Sequence, residues 1–495
     1  MEHDELYRQR LEKVERLREA GTQPYRNKYE RTHSTTDIAA AADSLCEAGT
    51  EVSVAGRITA LRRMGKAAFL DLRDGAGKVQ VYVKKGLVSE TDFENFKLLD
   101  LGDIIGVRGT MFKTHTGELT VQAASIEPLS KSLRTLPEKW HGLRDVEIRY
   151  RRRYLDLIAN PQVKENFQRR ITMIRAMRDH LHGLGFLEVE PPMMQAVPGG
   201  ALAKPFQTHH NALDLELYMR VAPELYLKRL AVGGFEKIFE INRNFRNEGI
   251  STKHNPEFTT MELYQAYADY QDMMNLTEDI ITHAVKNATG GLKITYQETA
   301  LDFTRPWRRM TWLQAVRDSG GPEVDLTADR DTLMSQAREL KLDIESNATK
   351  AAILEKLFDE FVEANIIQPT FIYDYPTEIS PLARQRDDNP LLTERFELFI
   401  HGFELANAFS ELTDPVEQLR RFEYQQANRD AGDDTAHAVD LDFVTALEHG
   451  LPPTGGLGIG IDRLAMLVTD AASIRDVIFF PLLKPRTQKQ MEEEE

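Results

Sequence analysis

Hydrophobic residues in the first 20 positions follow a helical pattern. Four apolar residues recur at near-helical spacing among many charges: Leu6, Leu11, Val14 and Leu17. Gly21 and Pro24 follow them as a stop signal. The spacing predicts an exposed helix within an N-terminal helical extension over residues 1–48.

From about residue 50 the pattern changes to alternation, which is typical of half-buried strands. Five short runs show it: VSVAGRI, AAFLDLRD, KVQVYVK, DIIGVRGTMF and ELTVQAASI. Five strands are the number in a small β-barrel of the OB type. We therefore predict an OB-fold domain over residues 49–135, followed by a linker over residues 136–160.

A long helix is predicted after the linker, because Asn160 can cap it and Pro161 suits its first turn. Gly183 and Gly185 end the helical pattern. The remainder mixes helices with apolar runs that we interpret as strands, such as YLKRLAV and EKIFEINRNF. The pattern favours one α+β domain over residues 161–486, with a helical insertion at about 325–365.

Composition is that of a globular protein with several domains. The 495 residues are 41% hydrophobic and 28% charged. The 62 basic and 78 acidic residues give a net charge of -16, so any nucleic-acid contact must use local basic patches such as Arg62, Arg63 and Lys66. Cys46 is the only cysteine, which excludes an intrachain disulfide. Without a secretory or membrane-spanning apolar run, a cytoplasmic protein with no membrane partner is expected.

The first segment with informative chemistry is GFEKIFEINRNFRNEGISTKHNPEFTTMELYQAYADY, which has the pattern of a long hairpin. If residues 241–248 form a strand, four polar residues share one face: Asn242, Asn244, Arg246 and Glu248. On the returning strand the same spacing groups Phe258, Thr260, Glu262 and Tyr264. An aromatic ring beside a carboxylate suits a purine and an amine, although any one of these residues could belong to a solvent-exposed face.

The second segment, TERFELFIHGFELANAFSELTDP, carries three carboxylates among apolar residues: Glu397, Glu404 and Glu411. Such carboxylates are costly to bury unless they are paired or bind a metal. Asn407 and Phe409 share a strand face with Glu411, whereas Glu404 has the opposite parity. If all four reach one site, a β-bulge must lie between Glu404 and Asn407.

The third segment is TGGLGIGIDRLAML, a glycine-alternating strand that runs into an apolar helix. Gly456, Gly458 and Gly460 permit close approach of a backbone or a nucleotide, and Arg463 lies where helix amides favour anions. Alone this signal is weak. The segment lacks the spacing of a P-loop or of a dinucleotide fingerprint.

Three segments of the chain resemble, in the right order, the three signature motifs of class II aminoacyl-tRNA synthetases. They are GFLEVEPPMM with Pro192, FRNE followed by HNPEF, and GLGIGIDR. The segments APELYLKRL, PGGALAKPF and GFELANAFSEL are similar to bacterial-type lysine enzymes of the subclass that also handles aspartate and asparagine. The resemblance covers nearly the whole chain. It implies a ligase that activates L-lysine with ATP and transfers it to the 3′ end of lysine tRNA.

The resemblance implies two catalytic residues, Arg246 at the α-phosphate and Arg463 at the triphosphate tail. Glu248 and Phe258 would hold the adenine. The residues implied for ATP are Arg246, Glu248, His254, Asn255, Phe258, Glu397, Glu404 and Arg463. More than one Mg²⁺ per subunit is expected, with Glu397 and Glu404 as oxygen ligands.

For lysine, the resemblance implies Glu411 and Tyr264 at the ε-ammonium group, and Glu224 with the Gly200 backbone at the α-amino group. The implied set is Gly200, Glu224, Arg246, Glu262, Tyr264, Asn407, Phe409 and Glu411. Carboxylates suit a cationic side chain, whereas an aspartate site would need a cation. Ala406 and Ala408 flank Asn407 where glycines also occur in the family.

The resemblance also implies an anticodon site on the barrel. Phe69 and Tyr82 would stack on bases, Arg62 would contact backbone or base, and Gln80 and Glu118 would read base edges. The Phe69 ring could equally belong to the barrel core. The first-motif helix implies a homodimer, although its apolar stripe could be buried within one subunit.

Three other interpretations were weighed. A related aspartate or asparagine enzyme shares the scaffold, but Glu411 and Tyr264 argue against it. A lysine-activating enzyme that modifies a translation factor resembles only the catalytic domain, whereas this chain has a barrel. A noncatalytic RNA-binding protein would have lost motif residues such as Arg246 and Arg463, which are present here.

Overall fold

The computed structural model describes residues 2–136, 143–201, 203–430 and 439–486. The chain divides into two compact units, Met1–Arg144 and Asp145–Glu495. Part of the predicted linker, residues 137–142, lies outside the described residues. In the part that is described, no helix has the length and apolar character needed to cross a membrane.

The first unit contains a closed five-stranded barrel with helices before and within it. The helices are α1 (Glu2–Glu19), α2 (Thr35–Ala40), α3 (Ala42–Ala48) and α4 (Glu90–Lys97). The strands are β1 (Glu51–Met64), β2 (Ala67–Arg73), β3 (Lys78–Lys84), β4 (Ile104–Lys113) and β5 (Leu119–Ser130). They pair in the order β1-β2-β3-β5-β4, and β1 pairs with β4 to close the barrel. The predicted five-stranded OB-type fold is confirmed.

Helix α1 forms as predicted but is less exposed than expected. Val14 and Leu17 are buried, whereas Leu6 and Leu11 are exposed. The Arg10 guanidinium donates to the carbonyl of Ser132 at 2.7 Å. The second half of α1 therefore packs against its own unit through the apolar face of the helix. Periodicity alone does not distinguish such a packed helix from an isolated one.

The second unit is built on a large mixed sheet. Its helices are α5 (Val146–Arg151), α6 (Arg153–Ala159), α7 (Pro161–Gly183), α8 (Glu224–Val232), α9 (Tyr270–Thr289), α10 (Trp312–Asp318), α11 (Arg330–Glu339), α12 (Lys350–Phe361), α13 (Pro415–Asp430), α14 (Leu441–Glu448), α15 (Ile461–Thr469) and α16 (Ile474–Val477). Two short 3-10 helices cover Glu363–Asn365 and Thr377–Ile379.

The strands of this unit form three sheets. They are β6 (Leu187–Glu188), β7 (Met194–Gln195), β8 (Phe206–His210), β9 (Leu215–Met219), β10 (Lys237–Phe245), β11 (Glu257–Ala266), β12 (Lys293–Tyr296), β13 (Thr299–Asp302), β14 (Arg308–Thr311), β15 (Thr370–Pro376), β16 (Leu392–Ile400), β17 (Phe403–Ser410) and β18 (Thr454–Gly460). The main sheet has the order β14-β15-β16-β17-β18-β11-β10-β6. Only its outermost pairs, β14 with β15 and β10 with β6, are parallel.

One face of the main sheet packs on helices and the other lines a cavity. Met261 and Leu263 of β11 join the same buried cluster as Met177 of α7 and Ile280 of α9. The alternate residues of β11 line the cavity: Phe258, Thr260, Glu262 and Tyr264. The alternation along β11 thus separates the core face from the functional face, as predicted.

Two local predictions were wrong. The run YLKRLAV lies in helix α8, not in a strand. Its buried residues recur at helical spacing, and a short apolar run does not distinguish a buried strand from a buried helix. Strand β10 ends at Phe245, so Arg246 and Glu248 lie in the following loop rather than on a strand face.

Candidate active site

The cavity lies on the polar face of the main sheet and includes about 1150 Å³ of space, counting its open mouth. It is lined by α8, the β10–β11 hairpin, β17, β18 and the start of α15. The predicted site residues found in its wall are Gly200, Glu224, Arg246, Glu248, His254, Asn255, Phe258, Glu262, Tyr264, Glu404, Asn407, Phe409, Glu411 and Arg463. Glu397 lines a neighbouring cavity, which shares His254, Glu404 and Arg463 with the first.

A bulge in β17 lets residues of both parities reach this site. Leu398 of β16 pairs with Ala406, but the next residue, Phe399, pairs with Glu404, so Leu405 has no partner in the register. Glu404, Asn407, Phe409 and Glu411 all line the cavity. The bulge predicted from parity between Glu404 and Asn407 is present.

The glycines of β18 make room for side chains of the site. A Cβ added at Gly456 would overlap the carboxylate of Glu411 and approach the Tyr264 ring at 2.7 Å. At Gly458 the nearest atom would be Cγ of Glu262, at 3.7 Å. The sequence pattern predicted close approach of a backbone or nucleotide. At Gly456 the close neighbours are instead two side chains of the same pocket.

Arg246 presents a buried guanidinium group to the cavity. Its backbone N–H donates to the carbonyl of Pro256 at 2.8 Å, and its guanidinium lies 5.1 Å from the centre of the Phe258 ring. Its Nε is buried without a hydrogen-bond partner among the described residues. A buried donor without a partner is costly. The position therefore suits an anionic ligand such as a phosphate or a carboxylate.

A second cationic group lies at the start of α15. Arg463 Nη1 donates to the carbonyl of Glu404 at 2.5 Å, and Arg463 Nη2 lies 3.4 Å from His254 Nε2. Partial burial and the charge of Arg463 lower the pKa of His254. His254 is therefore neutral near pH 7, and it serves as a hydrogen-bonding group beside the arginine rather than as a second cation.

Glu397 and Glu404 form a small oxygen-rich corner. The Tyr375 hydroxyl donates to Glu397 at 2.8 Å, and Arg395 pairs with Glu397 at 2.5 Å. Burial, together with the charge of Glu404, raises the pKa of Glu397 to about 7 despite Arg395. Over the described ranges, no group of three or more His, Cys, Asp or Glu side chains has metal-binding geometry. Two carboxylates fit Mg²⁺ when phosphate oxygens and water complete its shell.

The inner end of the cavity is acidic. Glu411 is 1% exposed, and its Oε1 has no hydrogen-bond partner in the described chain. Gly200, with φ +91°, lies against Glu224, because a Cβ there would be 3.1 Å from that of Glu224. Burial and the charge of Glu224 raise the pKa of Glu262 to about 8. This end attracts a cation.

Two positioning groups were missed by the sequence analysis. Lys228 on α8 contacts Glu224 and Glu411, and Arg395 Nε donates to Asn407 Oδ1 at 3.1 Å. The contact of Lys228 with Glu224 was not predicted, because the segment was interpreted as a strand. In a helix, its spacing of four from Glu224 would have placed the two side chains together.

Comparison with known proteins identifies the family of this chain. Residues 145–484 match the family model described as tRNA synthetases class II (D, K and N). The chain belongs to this class II tRNA synthetase family.

Several relatives of this synthetase carry the same name. A "Lysine--tRNA ligase" of Pelotomaculum thermopropionicum is 56% identical over 98% of this chain and 96% of its own length. The protein of that name from Carboxydothermus hydrogenoformans is 54% identical over 98% and 100%. The one from Bacillus subtilis is 50% identical over 98% and 99%.

The synthetase also has a recognisable nucleic-acid-binding module. Residues 52–129 match the model described as OB-fold nucleic acid binding domain. Phe69 lies outside the barrel core, with its ring centre 4.8 Å from that of Tyr82. Arg62 pairs across the strands with Phe69 and is exposed, as is Glu118. Gln80 is buried, and its side-chain oxygen accepts from the Thr120 hydroxyl at 3.0 Å.

Proposed function

We propose that this chain is a lysine–tRNA ligase, which activates L-lysine with ATP and then transfers it to lysine tRNA. The observation that carries the proposal is a cavity with opposite charge at its two ends. Glu411, with a free buried oxygen, lies at one end, and Arg246 and Arg463 lie at the other. A substrate with an ammonium group at one end and an activated carboxylate at the other satisfies both ends.

Lysine would lie with its ε-ammonium group at Glu411 and Tyr264. Its α-amino group would meet Glu224 and the Gly200 backbone, and its carboxylate would lie between Asn407 and Arg246. Glu262 and Phe409 complete the wall around the side chain. Aspartate would bring a carboxylate against Glu411 instead, which is unfavourable in a buried site.

The chemistry requires no enzyme nucleophile. The carboxylate of lysine attacks the α-phosphorus of ATP, the bond to the bridging oxygen breaks, and pyrophosphate leaves. Arg246 stabilises the charge that develops on the α-phosphate and orients the attacking carboxylate. The terminal 2′- or 3′-hydroxyl of tRNA then attacks the lysyl carbonyl and releases AMP.

The remaining ATP contacts follow from the cavity wall. Phe258 would stack on the adenine, and Glu248 and Asn255 would bind the nucleotide near the adenine. His254 and Arg463 would hold the triphosphate tail. Glu397 and Glu404 would hold Mg²⁺, which would neutralise phosphate charge when bound.

Anticodon recognition is assigned to the barrel. Phe69 and Tyr82 form a half-buried aromatic pair outside the barrel core on which bases could stack, and Arg62 lies opposite Phe69 in the strand register. Glu118 would read a base edge. The side-chain NH₂ group of Gln80 would bind a base edge, because its side-chain oxygen already accepts a hydrogen bond from Thr120. We also assign the chain a homodimeric state and a cytoplasmic place of action, where its tRNA and ATP are found.

ATP–pyrophosphate exchange tests the proposal directly. Lysine, aspartate and asparagine are supplied in parallel with Mg²⁺, and tRNA charging is then followed. We expect exchange with lysine and charging of lysine tRNA. Exchange without charging would instead indicate an enzyme that modifies a protein, and no exchange with any amino acid would indicate a noncatalytic protein.

A further inference from the structure

A lysine side chain of the protein itself lies inside the acidic end of the cavity wall. Lys228 is entirely buried on α8, one turn after Glu224. Its Nζ lies 2.5 Å from Glu224 Oε1 and in contact with Glu411 Oε2. The rings of Phe409 and Phe443 lie 5.4 and 6.0 Å from the same nitrogen. The ammonium group therefore bridges the two carboxylates that would bind the two amino groups of lysine.

The bridge leaves a free acceptor for a ligand. Glu411 Oε2 lies against the Lys228 ammonium group as an ion pair, and the buried Oε1 accepts no hydrogen bond from the described residues. Burial opposes a charge at Lys228, but Glu224 and Glu411 raise its pKa above the usual value. The charged form of Lys228 is therefore favoured, and its contact with Oε2 holds the carboxylate of Glu411, which lines the cavity.

Lys228 also sets the net charge that a ligand must neutralise. The pocket has three carboxyl groups, from Glu224, Glu262 and Glu411, and when all three are ionised around a bound ligand Lys228 reduces their formal charge from -3 to -2. The nearby Glu240 is already paired with Arg220 at 2.8 Å. A ligand with two ammonium groups neutralises the remainder, whereas a ligand with one leaves a buried charge without a partner.

We propose that Lys228 is a positioning and specificity-determining residue, which orients Glu224 and Glu411 and adjusts the pocket to an amino acid with two ammonium groups. The proposal rests on the lysine–tRNA ligase function proposed above. Lys228 touches neither reacting atom, so it acts through the two glutamates. Its removal should impair recognition of lysine much more than recognition of ATP.

Two substitutions separate the charge of Lys228 from its volume. Lys228→Met keeps the approximate length and removes the charge, whereas Lys228→Arg keeps the charge and adds volume. If the charge matters, Lys228→Met raises KM for lysine by about 100-fold, the scale for one lost buried charge partner, with little change in KM for ATP. Lys228→Arg should then retain more lysine use than Lys228→Met. A merely structural role predicts the reverse order.

The chain contains a matched control for loss of a buried lysine. Lys131 in the barrel unit is also fully buried and also bridges two carboxylates, at 2.7 Å from Asp100 and 2.6 Å from Asp103. Lys131→Met should lower the thermal stability of its unit without changing KM for lysine in ATP–pyrophosphate exchange. An equal rise in KM for lysine in Lys131→Met and Lys228→Met would overturn the proposal.

The wild-type protein gives an independent test if the variants do not fold. Norleucine and 6-aminohexanoate each carry one of the two ammonium groups of lysine. We expect each to compete with lysine about 100-fold more weakly than lysine itself. If either compound bound as tightly as lysine itself, the proposed charge balance would be wrong. Failure of the ligase function looks different, because wild-type protein would then show no exchange with lysine.

Discussion

Arg246 is the residue on which the proposed chemistry depends most. It reaches the cavity from the loop after β10 with an unpartnered Nε and an aromatic ring beneath its guanidinium. A donor held in place before reaction stabilises developing charge without reorganisation. Sequence reasoning assigned this role through the motif, and the structure adds that the residue lies beyond the end of the strand.

Arg246→Ala should lower the rate of lysine-dependent ATP–pyrophosphate exchange by about 10²–10³-fold, the scale for loss of one preorganised donor. The control is Arg243→Ala, which changes an arginine of the preceding strand β10 that does not line the cavity. Rates are measured at saturating ATP and lysine. Exchange by Arg246→Ala at the wild-type rate would contradict the assigned role.

Glu262 gives a pH-dependent prediction. Burial and Glu224 raise its pKa to about 8, so below this pH the empty pocket holds a proton on Glu262. An entering ammonium group favours the ionised form, and the proton must leave when lysine binds. The affinity for lysine should therefore rise with pH by up to about tenfold per unit below pH 8, then level off.

Calorimetric titration of lysine between pH 6.5 and 8.5 measures this linkage. Glu262→Gln serves as the matched variant, because it keeps the shape of the side chain and cannot release the proton. Its lysine affinity should be weaker and nearly independent of pH over the same interval. An equally steep dependence in Glu262→Gln would assign the proton to another group.

At the scale of elements, some features followed from local pattern and others did not. The five barrel strands and the helix from Pro161 were predictable, because their periods and turn residues agree with each other. The bulge at Leu405 could be predicted only on the assumption that Glu404, Asn407, Phe409 and Glu411 all reach one site. Helix α8 was misinterpreted as a strand, because a short and largely buried segment does not show a clear separation into an apolar and a polar face.

Strands β2 and β3 of the barrel carry the prediction on anticodon binding. Phe69 and Tyr82 are half-buried partners in the strand register, with their rings outside the core. Phe69→Ala should weaken lysine tRNA binding by about 1–3 kcal/mol, the range for one base–aromatic stack. ATP–pyrophosphate exchange needs no tRNA and should not change. Wild-type tRNA affinity in Phe69→Ala would exclude this role.

At the scale of the whole molecule, the proposed homodimer accounts for apolar residues that the single chain leaves exposed. Ile171 of α7 is 55% exposed, Leu187 of β6 is 54% exposed and Met194 of β7 is 53% exposed. Strand β6 is also at the edge of the main sheet. Large apolar residues that form a contiguous exposed patch are typical of an interface, and the proposed dimer would bury these three side chains.

Ile171→Glu should convert the dimer to a monomer, because a buried carboxylate at the interface has no partner. Sedimentation velocity measures the change. Asn287→Glu introduces the same charge at an exposed position of α9 and should leave the mass unchanged. A wild-type protein that sediments as a monomer would contradict the dimer itself.

The sequence by itself determined the barrel, the family and nearly every residue of the candidate site, because strand period, turn chemistry and motif spacing are local properties. Tertiary structure decided which charges meet. Lys228 of α8 meets Glu411 from a distant segment, and Arg395 of β16 meets Asn407 of the neighbouring strand β17. Such pairings depend on helix position and strand register, and burial then decides their pKa values. A linear pattern contains neither.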